Sequence, residues 1–356
     1  MESSVRVAGI DCGTNSIRLM IADVSETGMT VVVPKTMEVV RLGQDIDRTH
    51  RFAPDALERT FAAARKFAET IDSHHVDAIR FVATSATRDA SNREFFENEI
   101  EHILSVRPEV VSGTTEARLS FLGATEATRT AGAVAVRATG TGIPAAQRTV
   151  AARATELYRP PYLVVDLGGG STELVMGGGS DTPDTVSASI SMNIGSVRMS
   201  ERHLHADPPT NSQIREAVSD IDEHLTQALS SVPLHKTATL IGVSGTVTTM
   251  SLLALGETEY SREKVDGAVV GFDAAQQVCE RIAHMPRSVM AQMPLIHPGR
   301  RDVIAGGALV WSRILKKLSE QVTADGRIID SYIASERGLL DGLVLDRGRE
   351  LLAQGR

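Results

Sequence analysis

Apolar and polar residues alternate in two distant stretches of this chain, and each stretch is interrupted by a short glycine-containing turn. An apolar run at residues 7–10 precedes the first turn, and apolar residues then recur at positions 17, 19 and 21. A second apolar run at residues 162–165 precedes a turn with glycines at 168–170. Alternation with a period of two is typical of strands. Each stretch therefore predicts a strand, a tight turn and a second strand.

The two stretches share one nine-residue pattern, at residues 11–19 and 166–174. Asp, the first Gly, Ser and the closing Leu are identical in both copies. Small residues in such turns let backbone N–H groups approach an anion closely. An Asp at the strand end can hold a cation or a water molecule. One copy alone is typical of an ordinary turn, whereas two copies facing each other across a cleft would form a phosphate clamp.

The first half of the chain predicts a three-stranded meander at residues 5–10, 16–24 and 30–42, followed by a helix at 54–72. The further predicted elements of this half are a strand at 78–84, a polar turn at 85–89, a helix at 92–104, a strand at 109–111 and a helix from about 114. This order of elements is typical of a ribonuclease-H-like domain.

Residues 124–157 are dominated by Ala, Thr, Arg and Gly and show no steady period. This composition favours an insertion with little order or a long surface helix and loop. The second half then repeats the plan of the first. Its predicted elements are strands at 162–166, 173–176, 184–192, 237–243 and 326–332, and helices at 211–231, beyond 248, at 273–284, 301–322 and 336–348.

The composition is that of a globular protein, with 42% hydrophobic and 23% charged residues, and the length of 356 residues suggests two domains. The net charge of −8 argues against a broad basic surface for nucleic acid. No apolar run is long enough to predict a membrane span, and the start of the chain has no pattern of a secretory signal. The two cysteines predict no disulfide framework, so we expect a cytoplasmic protein.

Six motifs in a fixed order give the chain a specific resemblance. They lie at residues 11–19, 83–89, 112–119, 166–173, 241–247 and 298–303. With these motifs the chain resembles the exopolyphosphatase/guanosine pentaphosphate phosphatase family of the actin-like superfamily, in its short two-domain type. The resemblance implies an α/β protein with two actin-like, ribonuclease-H-like domains, a cleft between them and no C-terminal domain of the metal-phosphohydrolase type. The expected boundaries are 1–125 plus 337–356 for the first domain, 126–160 for a flexible insertion, and 161–336 for the second domain.

The resemblance implies that Glu116 is the catalytic base that deprotonates the attacking water. Without the other motifs, Glu116 could equally decorate the first turn of a helix, where its charge favours the dipole. Asp166 and Glu173 flank the second turn and are expected to hold Mg²⁺ together, with Asp11 approaching from the opposite domain. The alternative is that these three carboxylates only shape their turns.

The remaining candidate residues are expected to bind phosphate. Arg88 follows a predicted strand, where an Arg fork matches a phosphate, although an ion pair with Asp89 is the alternative. Arg18 lies on the second strand, where alternation could also direct it to solvent. The other expected donors are backbone amides and hydroxyls of Gly13, Thr14, Asn15, Gly168, Gly169, Gly170, Ser171, Ser244, Gly245 and Thr246.

The implied activity is Mg²⁺-dependent hydrolysis of the terminal phosphoanhydride of inorganic polyphosphate, releasing orthophosphate. Three alternatives remain open: the same chemistry on guanosine pentaphosphate, an actin-like kinase or ATPase, and a non-catalytic sensor of polyphosphate or an alarmone. We expect a small polyanionic partner and neither nucleic acid nor a membrane. The oligomeric state stays open, with a homodimer as the expected assembly.

Overall fold

The fold consists of two β-sheets with helices packed on them, seen in a computed structural model that describes residues 3–138, 158–179 and 184–355. The first sheet has the strand order β3-β2-β1-β4-β5. Its strands are β1 Ser4–Cys12, β2 Ser16–Ser25, β3 Gly28–Val39, β4 Ala78–Ala83 and β5 Glu109–Val110. Strands β1, β2 and β3 are antiparallel, whereas β4 runs parallel to β1 and β5 runs parallel to β4.

The second sheet repeats this plan in the order β10-β11-β9-β6-β7-β8. Its strands are β6 Tyr162–Leu167, β7 Thr172–Gly177, β8 Val186–Met192, β9 Thr239–Val243, β10 Ala268–Gly271 and β11 Ser331–Ser335. An antiparallel meander again continues into parallel strands, since β6 pairs with β7 on one side and with β9 on the other. The predicted repetition of one architecture is thus confirmed.

The helices follow the predicted order, with boundaries that differ in several places. They are α1 Ile46–Thr49, α2 Pro54–Asp72, α3 Ser85–Asp89, α4 Arg93–Leu104, α5 Gly113–Ala138, α6 Ser196–His203, α7 Asn211–Ala228, α8 Gly245–Ala254, α9 Arg262–Val265, α10 Phe272–Ala283, α11 Arg287–Met290, α12 Ile304–Ala324 and α13 Leu339–Ala353. Thr210 caps α7 as predicted, because its side chain accepts a hydrogen bond from Gln213 N.

Two predictions of local structure were wrong, and one helix beside the cleft was not predicted. The segment 85–89, predicted as a turn, is the short helix α3. Helix α6 was not predicted, and the last strand begins at Ser331 rather than at 326. Helix α5 runs on to Ala138, so residues 126–138 of the predicted insertion are helical. The rest of that insertion, 139–157, lies outside the described residues, and the domain boundaries stay a prediction.

The last helix, α13, packs on the first sheet rather than on the second. Leu340, Leu343 and Val344 are buried in one cluster with Val7 of β1 and Met20 of β2. Helix α5 joins this cluster through Leu119 and Leu122. The backbones of the two helices touch, because a Cβ built on Gly342 would lie 1.8 Å from Leu119 O. Helix α5 is therefore fixed by direct backbone contact. In the described part of the chain, no helix has the length and apolar character to cross a membrane.

Candidate active site

The two hairpins that carry the repeated pattern are paired in the same register. In the first, Asp11 lies opposite Arg18, and in the second, Asp166 lies opposite Glu173. Both turns are closed by one backbone hydrogen bond, Gly13 N to Ser16 O and Gly168 N to Ser171 O, each at 3.0 Å. The sequence repeat is thus a repeat of hairpin geometry, and it places the two aspartates at equivalent strand positions.

The tips of the two hairpins contact each other across the cleft. A Cβ built on Gly170 would lie 2.5 Å from Ser85 Oγ and 2.6 Å from Thr14 Oγ1, and one built on Gly169 would lie 3.0 Å from Thr14 Cβ. Thr14 and Ser85 also share a hydrogen bond of 3.0 Å. Glycine suits position 170 because a Cβ there would require the hydroxyls of Ser85 and Thr14, or the turns themselves, to shift.

Glu116 lies in the first turn of α5 and faces the cleft, with only 7% of its surface exposed. Arg88 Nη1 donates to Glu116 Oε2 at 2.8 Å and to Val111 O at 2.9 Å. Burial raises the pKa of Glu116 to about 7, against the lowering effect of Arg88, and the charges of Asp166 and Asp11 add to the rise. A carboxylate with this pKa suits proton transfer near neutral pH.

Asp11 and Asp166 both line the cleft, on opposite hairpins. Burial raises the pKa of each, and the charge of Asp166 adds to the rise for Asp11. Ser120 donates to Asp166 Oδ2, and Arg18 donates to Asp11 Oδ2 at 3.2 Å. A buried carboxylate whose pKa is raised by the charge of a second one indicates an environment that favours a cation.

Glu173 lies behind the second turn and not on the wall of the cleft. It is 1% exposed and accepts hydrogen bonds from Ser171 Oγ at 2.8 Å and Ser191 Oγ at 2.7 Å. Burial and the charge of Glu116 raise its pKa well above the usual range. Within the described residues, no group of three or more Asp, Glu, His or Cys side chains is arranged to hold a metal ion. The predicted trio of metal ligands is therefore not preassembled.

Two carboxylates nevertheless fit a magnesium ion. Mg²⁺ is usually held by one or two protein carboxylates, with water and substrate phosphate oxygens completing its coordination. Asp11 and Asp166 meet this requirement because both line the cleft, whereas Oε1 of Glu173 is already bonded to two serines, and its predicted role as a third ligand stays a prediction.

The structure brings most of the other predicted site residues to the cleft wall. Besides Glu116 and the two aspartates, these are Gly13, Thr14, Asn15, Arg18, Gly168, Gly169, Ser171, Ser244, Gly245 and Thr246. Arg18 faces the cleft rather than solvent. Gly170 lies at the contact between the turns, and Arg88 lies behind Glu116. The alternative ion pair of Arg88 with Asp89 is wrong, because Asp89 bonds Arg198 instead.

A third turn completes the cleft where β9 meets α8. Ser244 adopts a left-handed φ of 82°, which is rare for a residue with a side chain, and donates to Leu167 O. Helix α8 begins at the next residue, so its free backbone N–H groups lie at the cleft, where an N-terminus favours anions. A strained residue beside a helix N-terminus is typical of a functional position.

Sequence reasoning missed Arg300, which lines the cleft. Its guanidinium covers Gly245, since a Cβ there would lie 1.8 Å from Arg300 Nη1. Arg300 donates to Met37 Sδ at 3.3 Å, and no carboxylate of the described residues lies within ion-pair distance. Burial and the charge of Arg18 lower its pKa to about 10. Arg300 lies within the motif at 298–303, so this motif could have identified it as a site residue. Thr84, Ser85 and Ser196 also line the cleft and were missed.

Comparison with known proteins gives a consistent result over nearly the whole chain. Residues 20–139 and 145–347 match the model of the Ppx/GppA phosphatase family. Exopolyphosphatase 2 of Mycobacterium tuberculosis (strain CDC 1551 / Oshkosh) is 40% identical over 348 residues, covering 96% of this chain and 98% of that protein.

Solved structures agree with this match. An exopolyphosphatase-like protein is 55% identical, with a TM-score of 0.87, over 98% of this chain and 99% of the other. The Ppx/GppA family member of Aquifex aeolicus is 25% identical, with a TM-score of 0.71, over 99% of this chain and 100% of the other. The predicted two-domain actin-like fold is thereby confirmed.

Proposed function

The chain belongs to the Ppx/GppA phosphatase family and is a phosphoanhydride hydrolase, and we propose that it removes the terminal phosphate of inorganic polyphosphate. The observation that supports this most strongly is Glu116, a buried carboxylate with a pKa raised to about 7, on the wall of a cleft between two anion-binding turns. The name of the Mycobacterium tuberculosis relative at 40% identity supports polyphosphate as the substrate.

In this reaction, each group of residues has a separate role. Glu116 accepts a proton from a water molecule, whose oxygen forms a bond to the terminal phosphorus as the bridging P–O bond breaks. Orthophosphate and a chain shorter by one phosphate are the products. Because phosphoryl transfer depends mainly on positioning and on stabilisation of the phosphate oxygens, donors matter more than covalent chemistry. The turn amides, the start of α8, Arg18 and Arg300 supply such donors.

Magnesium is part of this proposal. Asp11 and Asp166 would hold the ion, which supplies positive charge to the phosphate oxygens when bound. Without a cation, the cleft would bring a polyanion against three carboxylates. The cation therefore makes this pattern of charge compatible with a phosphate substrate.

Guanosine pentaphosphate is the second candidate substrate, and one observation favours it. A cavity of about 430 Å³ adjoins the cleft and shares Arg18, Ser244 and Arg300 with it. Its walls are partly apolar, with Met37, Leu295 and Tyr260, and partly basic, with Lys35, Arg262 and His297. The apolar part of this lining suits a nucleoside, which a chain of phosphates alone would not need.

The test is phosphate release from polyphosphate, guanosine pentaphosphate and ATP, each with Mg²⁺ and with chelator. We expect kcat/KM to be highest for polyphosphate and to depend on Mg²⁺. A higher kcat/KM for guanosine pentaphosphate would make it the first candidate substrate and polyphosphate the second. Phosphate release from none of the three, by protein shown to be folded, would overturn the proposed substrate class.

A further inference from the structure

Arg198 lies at the first turn of α6 and joins the two domains beneath the active site. Its side chain is 7% exposed and is absent from the cleft wall. Nε donates to Gly170 O at 2.8 Å, within the second anion-binding turn. The two remaining nitrogens bond carboxylates beside the first sheet: Nη1 bonds Asp47 of α1, and Nη2 bonds Asp89 of α3 at 2.6 Å. One guanidinium thus has partners on both sides of the cleft.

The backbone of the same helix turn supports the glycine turn as well. Ser196 N donates to Gly168 O at 3.0 Å, and the amides of Val197 and Arg198 donate to Gly169 O at 2.8 and 3.1 Å. Together with the Nε bond, three consecutive carbonyls of the turn are held by α6. The position of the turn therefore follows the position of α6, and Arg198 ties α6 to the opposite domain.

Helix α3 is only five residues long, yet three of them connect to the site. Ser85 bonds Thr14 of the first turn, Arg88 bonds Glu116, and Asp89 bonds Arg198. A displacement of α3 would shift all three contacts together, because the residues share one rigid helical turn. Arg198 therefore couples the second anion-binding turn to the element that fixes Glu116.

We propose that Arg198 is a positioning residue that fixes the second phosphate-binding turn against the first domain, through Asp47 and Asp89. The residue acts through Gly170 and α3 and does not touch the substrate. The expected effect on kcat/KM rests on the proposed function. The expected effect on the position of the turn rests on geometry alone. Arginine suits this role, because its planar guanidinium donates three hydrogen bonds in fixed directions.

The matched control is a bidentate ion pair, also with two bonds from one arginine to carboxylate oxygens, whose residues do not line the cleft. Arg313 of α12 bonds Asp222 of α7 through two contacts of 2.7 Å, and both helices belong to the second domain. Arg313→Gln removes a comparable pair without touching either turn. Its effects on thermal stability provide the baseline for those of Arg198→Gln.

The experiment compares Arg198→Gln, Asp89→Asn and the double variant with the control. We expect Arg198→Gln to lower kcat/KM for polyphosphate by roughly 10- to 100-fold, within the coupling range of contacting residues. The double variant should be hardly worse than Arg198→Gln alone, because both changes break one linkage. Arg313→Gln should keep kcat/KM within about twofold. Additive effects of the two changes, or an equal loss in the control, would overturn the proposal.

Hydrogen exchange supplies a readout that is independent of activity. Backbone amides of residues 168–171 should exchange faster in Arg198→Gln than in the wild type, and those in Arg313→Gln should not. Should Arg198→Gln fail to fold, Asp89→Asn carries the test, because Asp89 is partly exposed, whereas Asp47 also bonds Arg202. Unchanged exchange in the turn would refute the positioning role. If the wild type does not hydrolyse polyphosphate but hydrogen exchange still differs between wild type and Arg198→Gln, only the proposed function is refuted.

Discussion

Arg88 and Glu116 form an ion pair of 2.8 Å in which the carboxylate lines the cleft and the guanidinium does not. Arg88 was expected to bind phosphate directly. That role stays a prediction, whereas its observed contacts favour the ionised form of the carboxylate, since its charge and hydrogen bond lower the pKa of Glu116 that burial raises. The protonation state of Glu116 is therefore set by a balance between burial and Arg88, and this balance can be measured.

Replacement of Glu116 by Gln should lower turnover of polyphosphate by roughly 10²–10⁴, the usual effect of losing a positioned base. The side chain keeps its size, so substrate binding and the unfolding temperature should change little. Initial rates and thermal unfolding of the same preparation test this expectation. Turnover like that of the wild type would show that another group accepts the proton.

The pH dependence of kcat/KM should show an acidic limb with a midpoint near 7. A base must be unprotonated to accept a proton, so activity rises with pH through the pKa of Glu116, which is raised to about 7. Arg88→Gln removes the group that lowers this pKa, so the midpoint should move to higher pH. Rate profiles at fixed Mg²⁺, with Arg313→Gln as the control, measure the shift. A midpoint that stays in place or moves to lower pH would contradict the assignment.

Replacement of Gly170 by Ala should separate the two turns, because the new Cβ would lie 2.5 Å from Ser85 Oγ and 2.6 Å from Thr14 Oγ1. A misplacement of about 1 Å in a phosphate-binding turn can lower kcat/KM by roughly 10²-fold. Gly271→Ala is the matched control, because the nearest atom to its Cβ would be 3.9 Å away. Equal activity of the two variants would show that contact between the turns does not matter for catalysis.

Asp166→Asn should raise the Mg²⁺ concentration that gives the half-maximal rate, because a hard cation loses a charged oxygen ligand. Calorimetric titration of the protein with Mg²⁺ should show the same weakening without substrate. Asp273→Asn, an exposed position on α10, changes the net charge equally and should leave both titrations as they are. Identical metal titrations in wild type and Asp166→Asn would show that this aspartate only shapes the hairpin.

Leu343→Ala in α13 should destabilise the protein by about 2–5 kcal/mol, the usual cost of a cavity at a fully buried leucine. Leu352→Ala lies on the same helix at a partly buried position and should cost less. Denaturant unfolding of both variants gives the comparison, and exchange of the β1 and β2 amides shows where the loss is felt. Unaltered protection of these strands in Leu343→Ala would contradict the packing of α13 on the first sheet.

The hairpins could be predicted from sequence because their signals are local. A buried strand, a small-residue turn and an alternating strand define β1–β2 and β6–β7 without information from the rest of the chain. Helix α2 was predicted at its observed bounds for the same reason, since Pro54 opens an amphipathic period that continues to Asp72. The motif set placed Glu116 at the start of α5, and the structure puts that residue on the cleft wall.

The missed features depend on contacts between distant segments. Helix α6 contains two arginines and two serines among eight residues, so no apolar period marked it, and Arg198 is buried only because Gly170, Asp47 and Asp89 surround it. Arg300 similarly acquires its environment from Gly245 and Met37. The predicted role of Glu173 as a metal ligand stays a prediction, and its hydrogen bonds to Ser171 and Ser191 could not be predicted because Ser191 lies on a third strand.

The two hairpins share one register but differ in charge at one matching position. At matching positions, the partner of Asp11 is the cation Arg18 and the partner of Asp166 is the acidic Glu173. The approximate twofold relation of the fold therefore does not extend to its charge. A linear phosphate chain has equivalent ends in solution, so either end can enter the cleft, and only the unequal charges of the two hairpins could make its ends differ once it is bound. One divergent position in a duplicated hairpin would therefore give the proposed phosphate substrate a cationic neighbour on one side of the cleft and an acidic one on the other.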